Sequence, residues 1–190
     1  MEKDITKTNF LSIEDTSNIT DTIDKVDLCK VEFSRTWILW ENYQLKEGVI
    51  SDWEKSIKKI ISFNDLITFW QFWNNYPCAI PKNFIYDGDK MTYFFNEKKR
   101  IDGLNVFVEG IMPKWEDSNN NGGRIVNLLY EIKENFAEFL DAIENYWLDL
   151  VLSVIGGSIP AAKHINGIRF IDKCNPIQKM LYRFELWLDR

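Results

Sequence analysis

Ile125-Val126-Asn127-Leu128-Leu129-Tyr130 reads as a strand, and shortly after it Phe136, Phe139, Leu140, Ile143, Trp147, Leu150, Val151 and Val154 recur at helical spacing. The stripe predicts a long one-faced helix ended by Gly156-Gly157, because glycine readily takes the left-handed conformation that closes helices. Further on, Lys163-His164-Ile165 and Ile168-Arg169-Phe170-Ile171 flank Asn166-Gly167, a dipeptide suited to a tight hairpin turn. Asn175-Pro176 then opens a predicted helix whose buried stripe is Ile177, Met180, Leu181, Phe184 and Leu188.

Working back toward the N-terminus, Leu104 to Val108, Ile57 to Phe63 and Arg35-Thr36-Trp37-Ile38-Leu39-Trp40 are strand candidates. Asn64 is placed to cap a helix carrying Leu66, Trp70 and Trp73, stopped near Tyr76-Pro77. Residues 84 to 95 form a predicted hairpin around Asp87-Gly88, followed by Lys98-Lys99-Arg100. Strands and helices are interspersed and the hairpin signals favour antiparallel pairing, so the class is α+β. Residues 1–34 are rich in Asp, Thr, Lys, Ser and Asn and read as a flexible tail; residues 35–190 form the domain.

Composition narrows the function. A net charge of −6 argues against non-specific binding to nucleic-acid backbones, which needs many neutralised phosphates, but leaves room for a single-nucleotide pocket. Cys29, Cys78 and Cys174 are widely separated, in no metal-ligand spacing, and read as reduced thiols of a cytoplasmic protein. His164 is the single histidine, no glycine-rich phosphate loop opens a helix, and no serine elbow is present. The expectation is a binding protein, with no metal, cofactor or catalysis.

Eight tryptophans exceed what a core of this size needs, and indole N–H groups are costly to bury unpaired. Trp115-Glu116-Asp117 stands in a polar loop running from Pro113 to Gly122-Gly123-Arg124. Its ring either anchors the loop or awaits a ligand, and Glu116 is either solvated or an acceptor for a planar pair of N–H donors. Guanine presents such a pair at N1–H and N2–H₂.

The order Phe107-x-x-Gly110-Ile111-x-Pro113-x-Trp115-Glu116-Asp117…Gly122-Gly123-Arg124 resembles the family of eukaryotic translation initiation factor 4E. So do Trp37-x-Leu39-Trp40, Trp53, Phe69-Trp70 and Trp147-Leu148-Asp149…Ile155-Gly156, and the similarity spans roughly residues 33 to 190. It implies a curved antiparallel sheet with three helices on its convex back and a concave site for the 7-methylguanosine cap of mRNA. Trp53 and Trp115 would sandwich the methylated base, and Glu116 would read its edge. Each stack is typically worth about 1–3 kcal/mol. The cationic ring adds about 0.5–2 kcal/mol per face.

Arg124 would bind the cap phosphates, joined by Lys163, Arg169 and His164 of the predicted hairpin. A two-residue turn pairs His164 with Arg169, whereas a longer loop brings Lys163 and Arg169 together; both registers stay open. On the convex side the resemblance assigns Leu66, Trp70, Leu148, Asp149 and Leu152 to a groove for a scaffold or inhibitor helix carrying Tyr-x-x-x-x-Leu-apolar. Support of translation initiation is the expected role. A cap-binding repressor, or an interaction module without cap binding, are the alternatives.

The sequence departs from the family at several points. Val31-Glu32-Phe33 stands where the family has His-Pro. The tryptophan of the cap hairpin's second arm is expected to be replaced near Ile171 or Asp172. The chain stops at Arg190, just after the predicted third helix, where the family continues with more strand. Either the sheet is smaller, or the hairpin at 84–95 with Lys98-Lys99-Arg100 compensates at the phosphates.

Overall fold

Runs of β-branched and aromatic residues build seven strands in the computed structural model, which describes residues 27, 31–45, 56–84, 94–96, 99–132, 136–173 and 180–190. They are β1 (Glu32–Leu45), β2 (Ile57–Asp65), β3 (Phe94–Asn96), β4 (Lys99–Val108), β5 (Arg124–Ile132), β6 (Ile165–Asp172) and β7 (Met180–Leu188). All pairings are antiparallel, in the order β2-β1-β4-β6-β7-β5, with β3 beside β4. Trp53, residues 1–26 and 85–93 of the predicted hairpin lie outside the described residues.

The register sorts side chains into two faces. Leu39, Val106, Ile168, Leu186 and Val126 form one row across the sheet, and Glu41, Leu104, Phe170, Phe184 and Leu128 form the next row on that face. The opposite face carries Ile38, Phe107, Gly167, Trp187 and Ile125, then Trp40, Asn105, Arg169, Glu185 and Asn127.

Helices cover the first face. Helix α1 (Leu66–Asn75) begins on Asp65, whose carboxylate accepts the Thr68 N–H at 2.7 Å, so the cap is Asp65 and not Asn64. Helix α2 (Phe136–Ile155) is the long helix the apolar stripe predicts. Phe69, Trp73, Ile143, Trp147 and Val151 pack into one core with Trp37, Leu39, Val106, Ile168 and Phe170. Each such side chain, fully buried, contributes about 1.5–3 kcal/mol. Glu41 is also fully buried on this side, where its carboxylate accepts bonds from the Tyr43 and Tyr76 hydroxyls.

Two further expectations fail. The predicted third helix is strand β7 over Met180–Leu188, leaving two α-helices among the described residues. Its stripe of Met180, Leu181, Phe184 and Leu188 imitated a helix, but Tyr182-Arg183-Phe184-Glu185-Leu186 alternates, as a strand with two different faces requires. Nor is Asn166-Gly167 a turn: both residues lie inside β6. A Cβ on Gly167 would meet the Phe107 ring at 2.3 Å, so close packing across the strands accounts for the glycine.

Candidate functional site

The loop between β4 and β5 is built by its own polar side chains. Asp117 accepts the Met112 N–H at 2.8 Å, the Asn119 N–H at 2.9 Å and the Asn119 side-chain amide at 3.0 Å. Burial alone would raise the Asp117 carboxyl, but these bonds and the nearby Lys114 charge hold it below the usual aspartate value. Asn120 is buried and donates to the carbonyls of Met112 and Lys114 at 2.8 and 2.9 Å. Gly122 closes the loop with a φ of 81°, which only glycine adopts without strain.

Asn166 of β6 then ties this loop to the sheet, donating to the Asn119 carbonyl at 2.8 Å and the Asn120 side chain at 3.1 Å. The result is a fixed platform bearing Trp115, 45% exposed, and the exposed Glu116. Trp115 meets Trp187 edge to face, with centroids 5.8 Å apart at 64°, and Trp187 meets Phe107 in the same way at 5.6 Å and 69°.

Trp187 is on the second arm of the hairpin formed by β6 and β7, so the arm keeps a tryptophan and the expected replacement is overturned. Residues 163–171 hold only the first arm of this hairpin; its second arm is β7.

A polar floor continues beside the aromatic one. Arg169 donates from Nε to Asn105 Oδ1 at 2.7 Å and sits 3.4 Å from Glu185, while its guanidinium lies over the Trp187 ring at 5.6 Å. Asn105 donates to Asn42 at 2.8 Å. Glu185, 4% exposed, also pairs with Arg183 at 2.6 Å and accepts the Trp187 indole N–H at 2.9 Å. Burial lowers the Arg169 pKa and Glu185 opposes that shift. Trp40 Nε1 and Arg183 Nε are buried donors with no acceptor among the described residues.

The other expected residues are scattered. Arg124 opens β5 opposite Leu188 and is exposed. Lys163 and His164 belong to a 3-10 turn before β6, and His164 is 3.1 Å from Asp189. Lys163 is six residues from Arg169, about 20 Å along the chain, and residues 165–172 are a single strand, so neither predicted register forms. Leu66 and Trp70 line a shallow groove with Ile67, Gln71, Asn74 and Asn75. Leu148 and Leu152 are half-buried on α2, while Asp149 lines a different groove, toward β5.

The family model described as Eukaryotic initiation factor 4E matches residues 32–189. Eukaryotic translation initiation factor 4E of Dictyostelium discoideum is 26% identical over 150 residues, which are 78% of this chain and 50% of that protein. The Candida albicans protein of the same name is 26% identical over 182 residues, 95% of this chain and 74% of the relative. The chain thus spans about half the length of the first relative.

Among solved structures, Caenorhabditis elegans eIF4E-3 in complex with the 4E-binding protein Mextli gives a TM-score of 0.59 at 22% identity, over 84% of this chain and 75% of that one. Ascaris suum eIF4E-3 with an m2,2,7G cap gives 0.55 at 23%, over 84% and 73%. At these identities the structures bear on the fold.

Proposed function

Because the chain belongs to the eukaryotic initiation factor 4E family, we propose that it binds the 7-methylguanosine cap of mRNA on the face bearing Trp115. The observation that carries this is an exposed indole beside an exposed carboxylate, held by a loop pinned to the sheet. Trp115 supplies one stacking surface and Trp53 the other, with Trp187 lining the pocket from the side. Stacking on a cationic base is stronger than on neutral guanine, so methylation at N7 sets the selectivity. Glu116 takes the N1–H and N2–H₂ edge.

Cations on the arms of the β6–β7 hairpin suit the phosphates. Arg183 lies on the Trp187 side of β7, and Lys173, whose N–H bonds the Leu181 carbonyl, follows β6. Both are better situated than Lys163 or His164. Arg169, bonded to Asn105 and Glu185, acts through Trp187, and Arg124 reaches the phosphates only around the end of β5. The α1 groove of Leu66 and Trp70 suits an amphipathic helix of a scaffold or inhibitor partner. The role is cytoplasmic, in translation initiation, without turnover.

Tryptophan fluorescence during titration with 7-methyl-GTP, with GTP as control, tests this. Saturable quenching by the methylated ligand alone, lost in Trp115→Ala and in Glu116→Ala, is expected. Absence of quenching from a folded protein would refute cap binding.

A further inference from the structure

A site for 7-methylguanosine must tell a cationic base from a neutral one. Strand alternation sets Arg183, Glu185 and Trp187 of β7 on one face, the face that carries Trp115. Glu185 is a buried carboxylate shared by three donors there. Its Oε2 accepts the Trp187 indole N–H at 2.9 Å and lies 3.4 Å from Arg169, while its Oε1 takes Arg183 at 2.6 Å.

An indole N–H given to a carboxylate makes a charge-assisted bond, and such a bond polarises the group that donates it. Electron density moves into the Trp187 ring, whose π-face is the part that attracts cations. Glu185 and Trp187 are each 4% exposed, so little water screens the effect.

Arg169 works against this. Its guanidinium lies over the same ring at 5.6 Å and is held there by its bond to Asn105 at 2.7 Å. A second cation brought to Trp187 therefore meets a ring already engaged by one. Glu185 acts twice, enriching the ring and neutralising the cation that competes for it.

We infer that Glu185 sets the preference of this site for an N7-methylated, cationic base over a neutral one, acting through Trp187, with Arg169 as the counterweight. The inference rests on the cap reading of Trp115. A base stacked on Trp115 lies parallel to that ring, inclined to Trp187 by about the 64° between the two indoles, and turns an edge toward it. Glu185 and Arg169 touch no part of the base and are positioning residues.

The readout is the ratio of the dissociation constants of GTP and 7-methyl-GTP, measured by calorimetric competition on the full chain. Both ligands carry the same triphosphate, so changes in phosphate binding cancel. Glu185→Gln keeps an acceptor for the indole without the charge, and should lower the ratio about three- to tenfold. Arg169→Met removes the counterweight and should raise it. A floor that had merely loosened would lower the ratio in both variants. Phenylalanine has no N–H to give, so adding Glu185→Gln to Trp187→Phe should leave the ratio nearly unchanged.

An unchanged ratio in Glu185→Gln, a fall in Arg169→Met, or the full effect of Glu185→Gln persisting beside Trp187→Phe would each overturn the inference. The Arg169→Met result decides even where Glu185→Gln does not fold. A wild type that does not prefer the methylated ligand would overturn the cap reading, and this inference with it.

Discussion

Trp187 gives its indole N–H to Glu185, two residues back on the same face of β7, at 2.9 Å, while its ring supports Trp115. Glu185 also neutralises Arg169 and Arg183. Removing it leaves two cations around a buried site, and breaking a buried pair in this way typically costs about 3–5 kcal/mol. Glu185→Ala should lower the urea midpoint accordingly and alter the near-UV circular dichroism of the tryptophans. Glu185→Gln retains an acceptor for Trp187, so the aromatic signal should survive better than the stability.

Asp117 predicts a pH response of the loop. Its folded pKa is depressed, so the stabilisation is complete above the unfolded aspartate value of about 4 and is lost as pH falls through the lower folded value. Amide exchange at Met112 and Asn119 should accelerate in acid, after correction for intrinsic rates. In Asp117→Asn this acid-dependent component should be absent, with weaker protection already at neutral pH.

Asn166→Ala removes the donor that fastens the loop to β6, leaving the Asn119 carbonyl and Asn120 Oδ1 without it. Unpaired buried polar groups cost about 1–3 kcal/mol. Affinity for 7-methyl-GTP should fall although Asn166 contacts no base in the proposed complex, and calorimetry should record a larger entropic penalty.

Gly167→Ala drives a methyl group into the Phe107 ring. Overpacking of this kind costs about 1–3 kcal/mol. A fall of several degrees in Tm is expected, and Phe107→Leu in the same chain should recover part of it.

Much of this was legible in the residues. The stripe from Phe136 to Val154 gave α2 because a helix covering one sheet face has a single apolar side. The Trp115 loop was legible because a large ring among Asn and Gly has few core neighbours in sequence. β7 was not, since Asn175-Pro176 offered a helix start and Leu181, on the polar-faced side of the strand, supplied a false helical neighbour. Asn166-Gly167 misled for a different reason: a glycine demanded by a facing ring looks identical in sequence to one demanded by a turn. The same glycine drew Lys163 and His164 into a hairpin whose arms are β6 and β7, and hid Trp187 on the second arm.

Glu41 acts as a strut. It lies on β1 between Trp40 and Asn42, which face the other side of the sheet, and its carboxylate holds the hydroxyl of Tyr76, the residue that ends α1. Burial, and then the bond to Glu41, push the Tyr76 phenol well above its usual pKa, so it remains a neutral donor at any physiological pH. Helix α1 cannot slide along the sheet without unseating a buried carboxylate. A load applied at Trp70 on the rear surface is therefore borne by the strand that floors the front one.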